Sequence, residues 1–244
     1  MAFLTGTNRD ELGIDLDAPP AGANITELFA KLLPGGVGDL SRLINSPEFG
    51  FTNSSGGASS SEILSAMIRI STDGLYTCLE HATAYSASKH KVFSSLYSFQ
   101  FNRTYNPAGY TKPHCNPPKT DARPNGDPNL EYKKCHAGEQ MIVFGTVRRD
   151  GLPDRDGLDV PYMQLIMDYW ASFARTRDPN PSLDYLAARG YWNTISQIQA
   201  VGPWIQEVSA PAIRLLQWNG RQVEPSEQVQ CQALGLPLEY FEAH

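Results

Sequence analysis

Three short apolar segments alternate with helical patterns along the chain, and this alternation constrains the fold more than any other feature of the sequence. Residues 2–7, 92–101 and 212–218 each have the length and apolar character of a strand. Apolar residues recur at helical spacing in the segments 25–33, 62–70, 72–86 and 161–177. This order predicts an α/β fold, but three strands are too few to bury a parallel sheet on both faces. We therefore expect part of a larger, doubly wound and mostly parallel sheet.

The beginning of the chain goes directly from a strand pattern into a polar turn. Residues 1–4 are apolar, and residues 5–11 that follow are rich in Thr, Asn and charged side chains. A secretory signal needs a basic start and roughly 7–15 apolar residues, and this beginning has neither. A strand at the first residue indicates that a further segment precedes it. We expect residues 1–244 to be the C-terminal portion of a single domain.

Composition excludes several classes of protein. Hydrophobic residues make up 41% of the chain and charged residues 19%, which is typical of a soluble globular protein and not of a disordered one. The formal net charge of -6 and the lack of a Lys- or Arg-rich run argue against nucleic-acid binding. No apolar stretch approaches the roughly 18 residues that a membrane-spanning helix needs. We expect neither a nucleic-acid partner nor a transmembrane segment.

Cysteines and glycosylation sequons together favour a secreted protein. The cysteines are Cys78, Cys115, Cys135 and Cys231. Their number is even, and three pairings are possible from sequence alone. The N-x-S/T sequons lie at Asn24, Asn53 and Asn102. Both features are typical of an oxidising compartment. The alternative is a cytosolic protein whose buried thiols are inert.

A long proline-rich loop is predicted between residues 102 and 134. A structureless loop of that length inside a compact domain is usually functional or held by a covalent link. Cys115 and Cys135 lie near the middle and the end of this loop. A disulfide between them is plausible, and closing a loop of about 20 residues stabilises a fold by roughly 3 kcal/mol on the chain-entropy model.

Four segments, taken together and in order, resemble the C-terminal half of the type B carboxylesterases, the family of cholinesterases and secreted fungal lipases and esterases. Residues 4–11 read L-T-G-T-N-R-D-E, which is similar to the family's G-T-N-K-D-E-G motif at a strand end. Residues 136–145 read H-A-G-E-Q-M-I-V-F-G and resemble its H-x-x-E-x-x-x-V-F-G motif. Residues 169–174 (Y-W-A-S-F-A) and 178–180 (D-P-N) resemble a late helix and its end. Leu12 and Arg177 stand where the family usually has glycine.

The resemblance implies roles for individual residues. Glu11 would be the acid of a Ser-His-Glu triad and His136 its base, and the fold would be that of an α/β-hydrolase. It also implies a disulfide between Cys78 and Cys231, which leaves Cys115 to pair with Cys135. The implied activity is hydrolysis of small-molecule or lipid carboxylic esters, without a cofactor. Glu139 is interpreted as a hydrogen-bonding partner near His136 and not as a second acid.

The nucleophile is missing from the sequence. The strained turn that presents a catalytic serine needs G-x-S-x-G, and no such motif occurs among the 244 residues. Residues 57–61 (G-A-S-S-S) come nearest, but they end in serine and no buried strand precedes them. We therefore expect the α/β-hydrolase half that carries the nucleophile to lie elsewhere, and this chain alone to be inactive. The alternative is a non-catalytic, adhesion-like or degenerate member of the same fold.

The remaining histidines give no further site. A metal could in principle be bound by His114, Cys115, Cys135 and His136, but adjacent residues point in divergent directions and match no usual zinc spacing. We therefore predict no metal site. His81, His90, His114 and His244 are interpreted as ordinary surface or tail residues.

Overall fold

The computed structural model describes residues 1–20, 23–32, 43, 47–49, 59–107, 109–110, 112–208 and 211–242. Its sheet contains the strands β1 (Ala2–Asn8), β2 (Ser95–Phe101), β3 (Ile213–Leu216) and β4 (Gln222–Val223), in that spatial order. β1 pairs in parallel with β2 and β2 with β3, whereas β4 adds antiparallel to β3. The fold is therefore α/β with a mostly parallel sheet, as predicted. The two-residue strand β4 was not predicted.

The helices occupy most of the segments with helical spacing. They are α1 (Ile25–Leu32), α2 (Ser60–Thr72), α3 (Cys78–Lys89), α4 (Gln140–Val143), α5 (Asp159–Thr176), α6 (Leu183–Arg189), α7 (Trp192–Val201) and α8 (Gln228–Ala233). Short 3₁₀ turns cover Glu11–Ile14, Pro47–Phe49, Pro113–Cys115 and Tyr240–Glu242. None of the helices in the described ranges is long and apolar enough to cross a membrane.

A π-helical turn, Asp73–Thr77, joins α2 and α3 into one continuous rod. The start of α2 is fixed by a capping box, in which the Ser59 hydroxyl accepts from the Glu62 backbone and the Glu62 carboxylate accepts from the Ser59 backbone. The prediction of two separate helices was wrong at this junction. Because a π turn holds an extra residue, it rotates the faces of the helix. The 3.6-residue spacing of 72–86 predicts Leu75 and Cys78 on one buried face. Leu75 is 46% exposed, while Cys78 is buried as predicted.

Helix α5 packs an aromatic core against one face of the sheet. Its deeply buried residues are Tyr162, Leu165, Ile166 and Tyr169. Helical spacing predicts a buried stripe of Met163, Ile166, Met167, Trp170, Phe173 and Ala174. Only Ile166 is fully buried; Ala174 is exposed, and the other four are partly buried. Trp204 lies at the centre of this layer, with its indole N–H donating to the Ser98 carbonyl at 3.2 Å. The core therefore covers the face of β2 from which Tyr97, Phe99 and Phe101 project.

The end of α5 lies at one position where the chain departs from the family pattern. Arg177 adopts a left-handed backbone with φ of 66°, and its N–H donates to the Phe173 carbonyl. Left-handed residues at helix ends are usually glycine, because a side chain there is strained. This geometry accounts for the glycine that the family usually has at the position of Arg177.

The apolar residues of the tail, 231–241, predict that it docks on the rest of the chain. It does so on α2 and the π turn. Cys231 on α8 is disulfide-bonded to Cys78. Leu234 and Leu236 are buried in the same cluster as Met67 on α2. The tail therefore completes a core between helices. The second face of the sheet is covered by α3, whose Ala84 and Ala87 pack with Leu96 of β2.

Carboxyl groups are buried on this second face. Burial raises the pKa of Glu80 on α3 to about 8, and the neighbouring Glu207 carboxyl adds to the rise. One oxygen of each carboxyl has no hydrogen-bond partner among the described residues. His81, predicted at the surface, is 5% exposed and burial lowers its pKa, so that prediction was wrong. Apolar periodicity did not predict these buried side chains because they are polar.

Replacing Glu80 with glutamine is expected to flatten the pH dependence of stability. Between the ordinary carboxyl pKa of 4.5 and about 8, folded Glu80 keeps its proton while the unfolded chain releases it. The free energy of unfolding therefore falls as pH rises through that window. At pH near 8 the Glu80→Gln variant should be more stable than the parent by about 1–3 kcal/mol, the cost of a poorly satisfied buried group. Urea unfolding at pH near 5 and near 8 measures how the free energy of unfolding changes with pH in the parent and in Glu80→Gln. Exposed Glu239→Gln is the control and should keep the parental slope.

Candidate active site

Glu11 and His136 meet at the carboxyl end of the first two strands. Glu11 begins the 3₁₀ turn that follows β1, and His136 ends the long loop that follows β2. Parallel neighbouring strands end at the same edge of a sheet, so both loops leave from one side. The His136 backbone N–H donates to the Glu11 carbonyl at 3.2 Å, which ties the two loops directly.

The two side chains form a short hydrogen bond. Nδ1 of His136 lies 2.7 Å from Oε2 of Glu11. The other carboxylate oxygen, Oε1, accepts the backbone N–H of Asn8 at 2.7 Å. The Glu11 side chain is 8% exposed, whereas that of His136 is 54% exposed. A buried acid is therefore held on both oxygens and presents an imidazole to the open surface.

The electrostatics of the pair suit proton transfer. Burial raises the pKa of Glu11, and the hydrogen bonds from Asn8 and His136 oppose that rise. Because a carboxylate oxygen faces Nδ1, we assign the ring proton to that nitrogen. Nε2 is then the nitrogen with a free lone pair, on a ring that solvent can reach. The arrangement can act as a general base oriented by an acid.

The turn that carries His136 is tightly built. Ala137 has a left-handed backbone with φ of 60°. A Cβ on Gly138 would lie 2.5 Å from the Tyr105 carbonyl oxygen, so only glycine fits there. The Tyr105 backbone N–H donates to the Gly138 carbonyl at 3.0 Å. The residues beyond β2 thus hold the turn in place.

A disulfide fixes the loop immediately before the histidine. Cys115 is bonded to Cys135, and both are buried against Ile14. The pairings Cys115–Cys135 and Cys78–Cys231 are those that the resemblance implies. Each sulfur atom of the alternative metal site is thus bonded to another sulfur. A ring nitrogen of His114 lies within 4.8 Å of both sulfur atoms, and its Nε2 lies 2.7 Å from the Gly13 carbonyl oxygen.

The start of the long loop rests on a buried ion network. Arg103 and Arg155 both bind Asp159, and Arg103 also binds Asp156. The Arg155 guanidinium lies 4.1 Å from the centre of the Tyr105 ring. The acids Asp154, Asp156 and Asp159 come close enough together to be considered as metal ligands. The two arginines already neutralise the buried oxygens of this group.

Aromatic side chains lie close to each member of the pair. The Tyr76 ring, on the π turn, lies 6.0 Å from the His136 ring. A cavity of about 190 Å³ opens beside Glu11 and is lined by the rings of Phe99, Phe144 and Trp170. Phe144 is 75% exposed. The sequence motifs did not point to Tyr76, whose place beside the histidine depends on the π turn.

The other predicted sites have varied surroundings. Asn24 is exposed, and its amide donates to Glu27 at 3.1 Å. Asn102 is half-buried between Arg9 and Gln217, and its amide nitrogen donates to the Gln217 side chain. Asn53 and His244 lie outside the described residues. His90 is exposed and pairs with Glu242 at 3.0 Å, as a surface residue does. N-glycosylation remains a prediction.

Comparison with known proteins bears on the family and the fold. The sequence profile described as the carboxylesterase family matches residues 36–204. A structure of a PNB esterase superimposes with a TM-score of 0.55 and 20% identity, over 95% of this chain and 37% of that one. Another PNB esterase structure gives a TM-score of 0.52 and 18% identity, with the same shares covered. At these identities the structures show a shared fold. No curated protein sequence matches significantly. The chain thus spans about 37% of the length of these structural relatives.

Proposed function

Because the chain belongs to the carboxylesterase family, we propose that it supplies the acid and the base of a Ser-His-Glu ester hydrolase whose serine lies in another segment. The observation that carries this proposal is the 2.7 Å bond between the buried Glu11 carboxylate and Nδ1 of the exposed His136. That geometry is what a triad needs from its acid and base.

In the proposed mechanism, Nε2 of His136 takes the proton of the serine hydroxyl as its oxygen attacks the ester carbonyl. Glu11 stays ionised, holds the ring in one tautomer and stabilises the imidazolium. The imidazolium then gives its proton to the leaving alcohol, which leaves an acyl-enzyme. Water, with His136 again as the base, then attacks the acyl-enzyme and releases the carboxylic acid product and the free serine. The donors that stabilise the oxyanion would come from the same segment as the serine.

The sheet supports the proposal that residues 1–244 are the C-terminal portion of one α/β-hydrolase domain. β1 pairs with β2 along one edge and has no strand on its other edge among the described residues. A parallel sheet is normally buried and extended on both sides. An unpaired apolar edge strand is a site for another strand. We infer that the missing segment adds strands next to β1.

We also propose a class of substrate and a cellular location. The Tyr76 ring beside His136 and the aromatic rings that line the cavity beside Glu11 favour small-molecule or lipid esters with apolar groups. Two disulfides in the described chain favour an oxidising, extracellular setting.

The test is to read the coding sequence upstream of Met1 in frame, and to express any extended protein. We expect a strand followed by G-x-S-x-G, and labelling of that serine by a fluorophosphonate. His136→Ala should slow the labelling by about 10³-fold or more, since the serine then lacks its base. An upstream sequence without a nucleophile motif would favour the non-catalytic alternative.

A further inference from the structure

Asn8 lies between two carboxyl groups and binds both. It is the last residue of β1 and is 3% exposed. Its backbone N–H donates to Oε1 of Glu11 at 2.7 Å. Its side-chain amide donates to Oε2 of Glu139 at 2.5 Å. The oxygen that Asn8 holds on Glu11 is the one that His136 does not use.

Glu139 has a fixed backbone close to the histidine. It lies three residues after His136 and directly before α4, and its carbonyl accepts the N–H groups of Ile142 and Val143, both at 2.9 Å. Its carboxylate is directed to Asn8 across the site. The Asn8–Glu139 bond therefore joins the strand that precedes the acid to the turn that carries the base.

The geometry points to Glu139 as a positioning residue. Its carboxylate oxygen holds Asn8, and Asn8 in turn holds Glu11 in the orientation that faces Nδ1 of His136. That Glu139 aids catalysis rests on the proposed function. That Glu139 fixes the geometry of the Glu11–His136 pair does not. Glu139 would therefore act on Glu11 through Asn8 and without touching the reacting atoms.

The bond and the charge of Glu139 have separable effects. The charge of Glu139 contributes to the raised pKa of Glu11, although burial is the larger cause. Glutamine at position 139 keeps an acceptor oxygen for Asn8 and removes the charge. Alanine removes both. If the hydrogen bond is what positions Glu11, these two variants will differ in the geometry of the pair.

The experiment follows the Nδ1 proton of His136 by NMR in the 244-residue chain. We expect its exchange with water to be slow in the parent and in Glu139→Gln. Exchange should be about tenfold faster in Glu139→Ala and in Asn8→Ala, the ratio that one hydrogen bond of ordinary net strength gives. Amide exchange in β2 is the internal reference for global stability, and Gln140→Ala, on an exposed neighbour, is the matched control.

A second readout separates positioning from a general structural effect. The carboxyl titration of Glu11 should move to lower pH in Glu139→Gln, because a like charge is removed while the bond to Asn8 remains. Unchanged Nδ1 proton exchange in Glu139→Ala would overturn the inference. Equal acceleration in the Gln and Ala variants would also overturn it, since the charge and not the bond would then matter. Neither readout depends on ester hydrolysis, so a failed function would leave this result interpretable.

Discussion

Replacing Asp159 with alanine is expected to lower the free energy of unfolding by about 3–5 kcal/mol, because it removes the counterion of the buried Arg155 and one of the two counterions of the buried Arg103. Asp159 is 2% exposed. Its Oδ1 accepts from Arg103 at 2.6 Å and from Arg155 at 2.7 Å. Its Oδ2 accepts the backbone N–H and Nε of Arg155 at 2.8 and 2.9 Å. Breaking one partner of such a network costs more than forming it gained.

The Asp159→Ala variant should also disturb the turn that carries His136. Arg155 also donates to the Thr104 carbonyl at 2.9 Å, and the next residue, Tyr105, holds the turn of His136. Urea unfolding followed by circular dichroism measures the loss, with exposed Asp121→Ala as the control that should stay within about 0.5 kcal/mol of the parent. A loss below about 1 kcal/mol for Asp159→Ala would contradict the described network.

The same network contributes a pH dependence of the opposite sign to that of Glu80. The arginines lower the pKa of Asp159 to about 2, against the opposing effect of burial. A carboxyl whose pKa is lower in the folded chain stabilises the fold above its ordinary pKa. That contribution is lost as the pH falls towards 2. The contribution of Glu80 lowers the free energy of unfolding as pH rises, and that of Asp159 lowers it as pH falls. The free energy of unfolding is therefore expected to be greatest at a pH between the two transitions.

Local sequence patterns predicted the strands and the ends that carry the site. A charged turn directly follows the apolar β1, so local patterns place Glu11 at a strand end, but its role as the triad acid came from the family resemblance. His136 could be placed only through the family resemblance, because a loop of over thirty residues separates it from β2. The pairing of the cysteines also came from the resemblance, since spacing allows three alternatives.

Interactions between distant residues were not predictable from local patterns. Arg103 lies 56 residues from Asp159, and nothing in either neighbourhood indicates the other. The π turn is invisible to a pattern with a period of 3.6, so Leu75 was assigned to the wrong face. Asn8 looks like an ordinary turn residue until Glu139 is brought beside it, 131 positions later.

Four of the described helices, α4, α6, α7 and α8, escaped prediction because they are short. α6 and α7 are short and lie at the surface, with exposed Tyr185 and Trp192 interrupting any clean apolar stripe. Their stability comes from tertiary contact and from caps such as Ser182, whose hydroxyl accepts the Tyr185 N–H at 3.4 Å. A short helix of this kind leaves little periodic signal.

The absence of a nucleophile motif should make this chain almost inert towards esters. In a serine protease, removing the serine alone lowers kcat by about 10⁶-fold, even with the acid and base in place. Because no G-x-S-x-G motif occurs in the 244 residues, we expect the Glu11–His136 pair to have no nucleophile to activate in this chain. Slow hydrolysis by any exposed imidazole sets the background, for which His90→Ala is the matched control.

The most direct test of the account is the turnover of short-chain nitrophenyl esters by the purified chain, compared with its His136→Ala variant. We predict no turnover above that background for either protein. Robust turnover by the parent that disappears in His136→Ala, and persists in His90→Ala, would contradict the account, because a nucleophile would then have to lie within this chain.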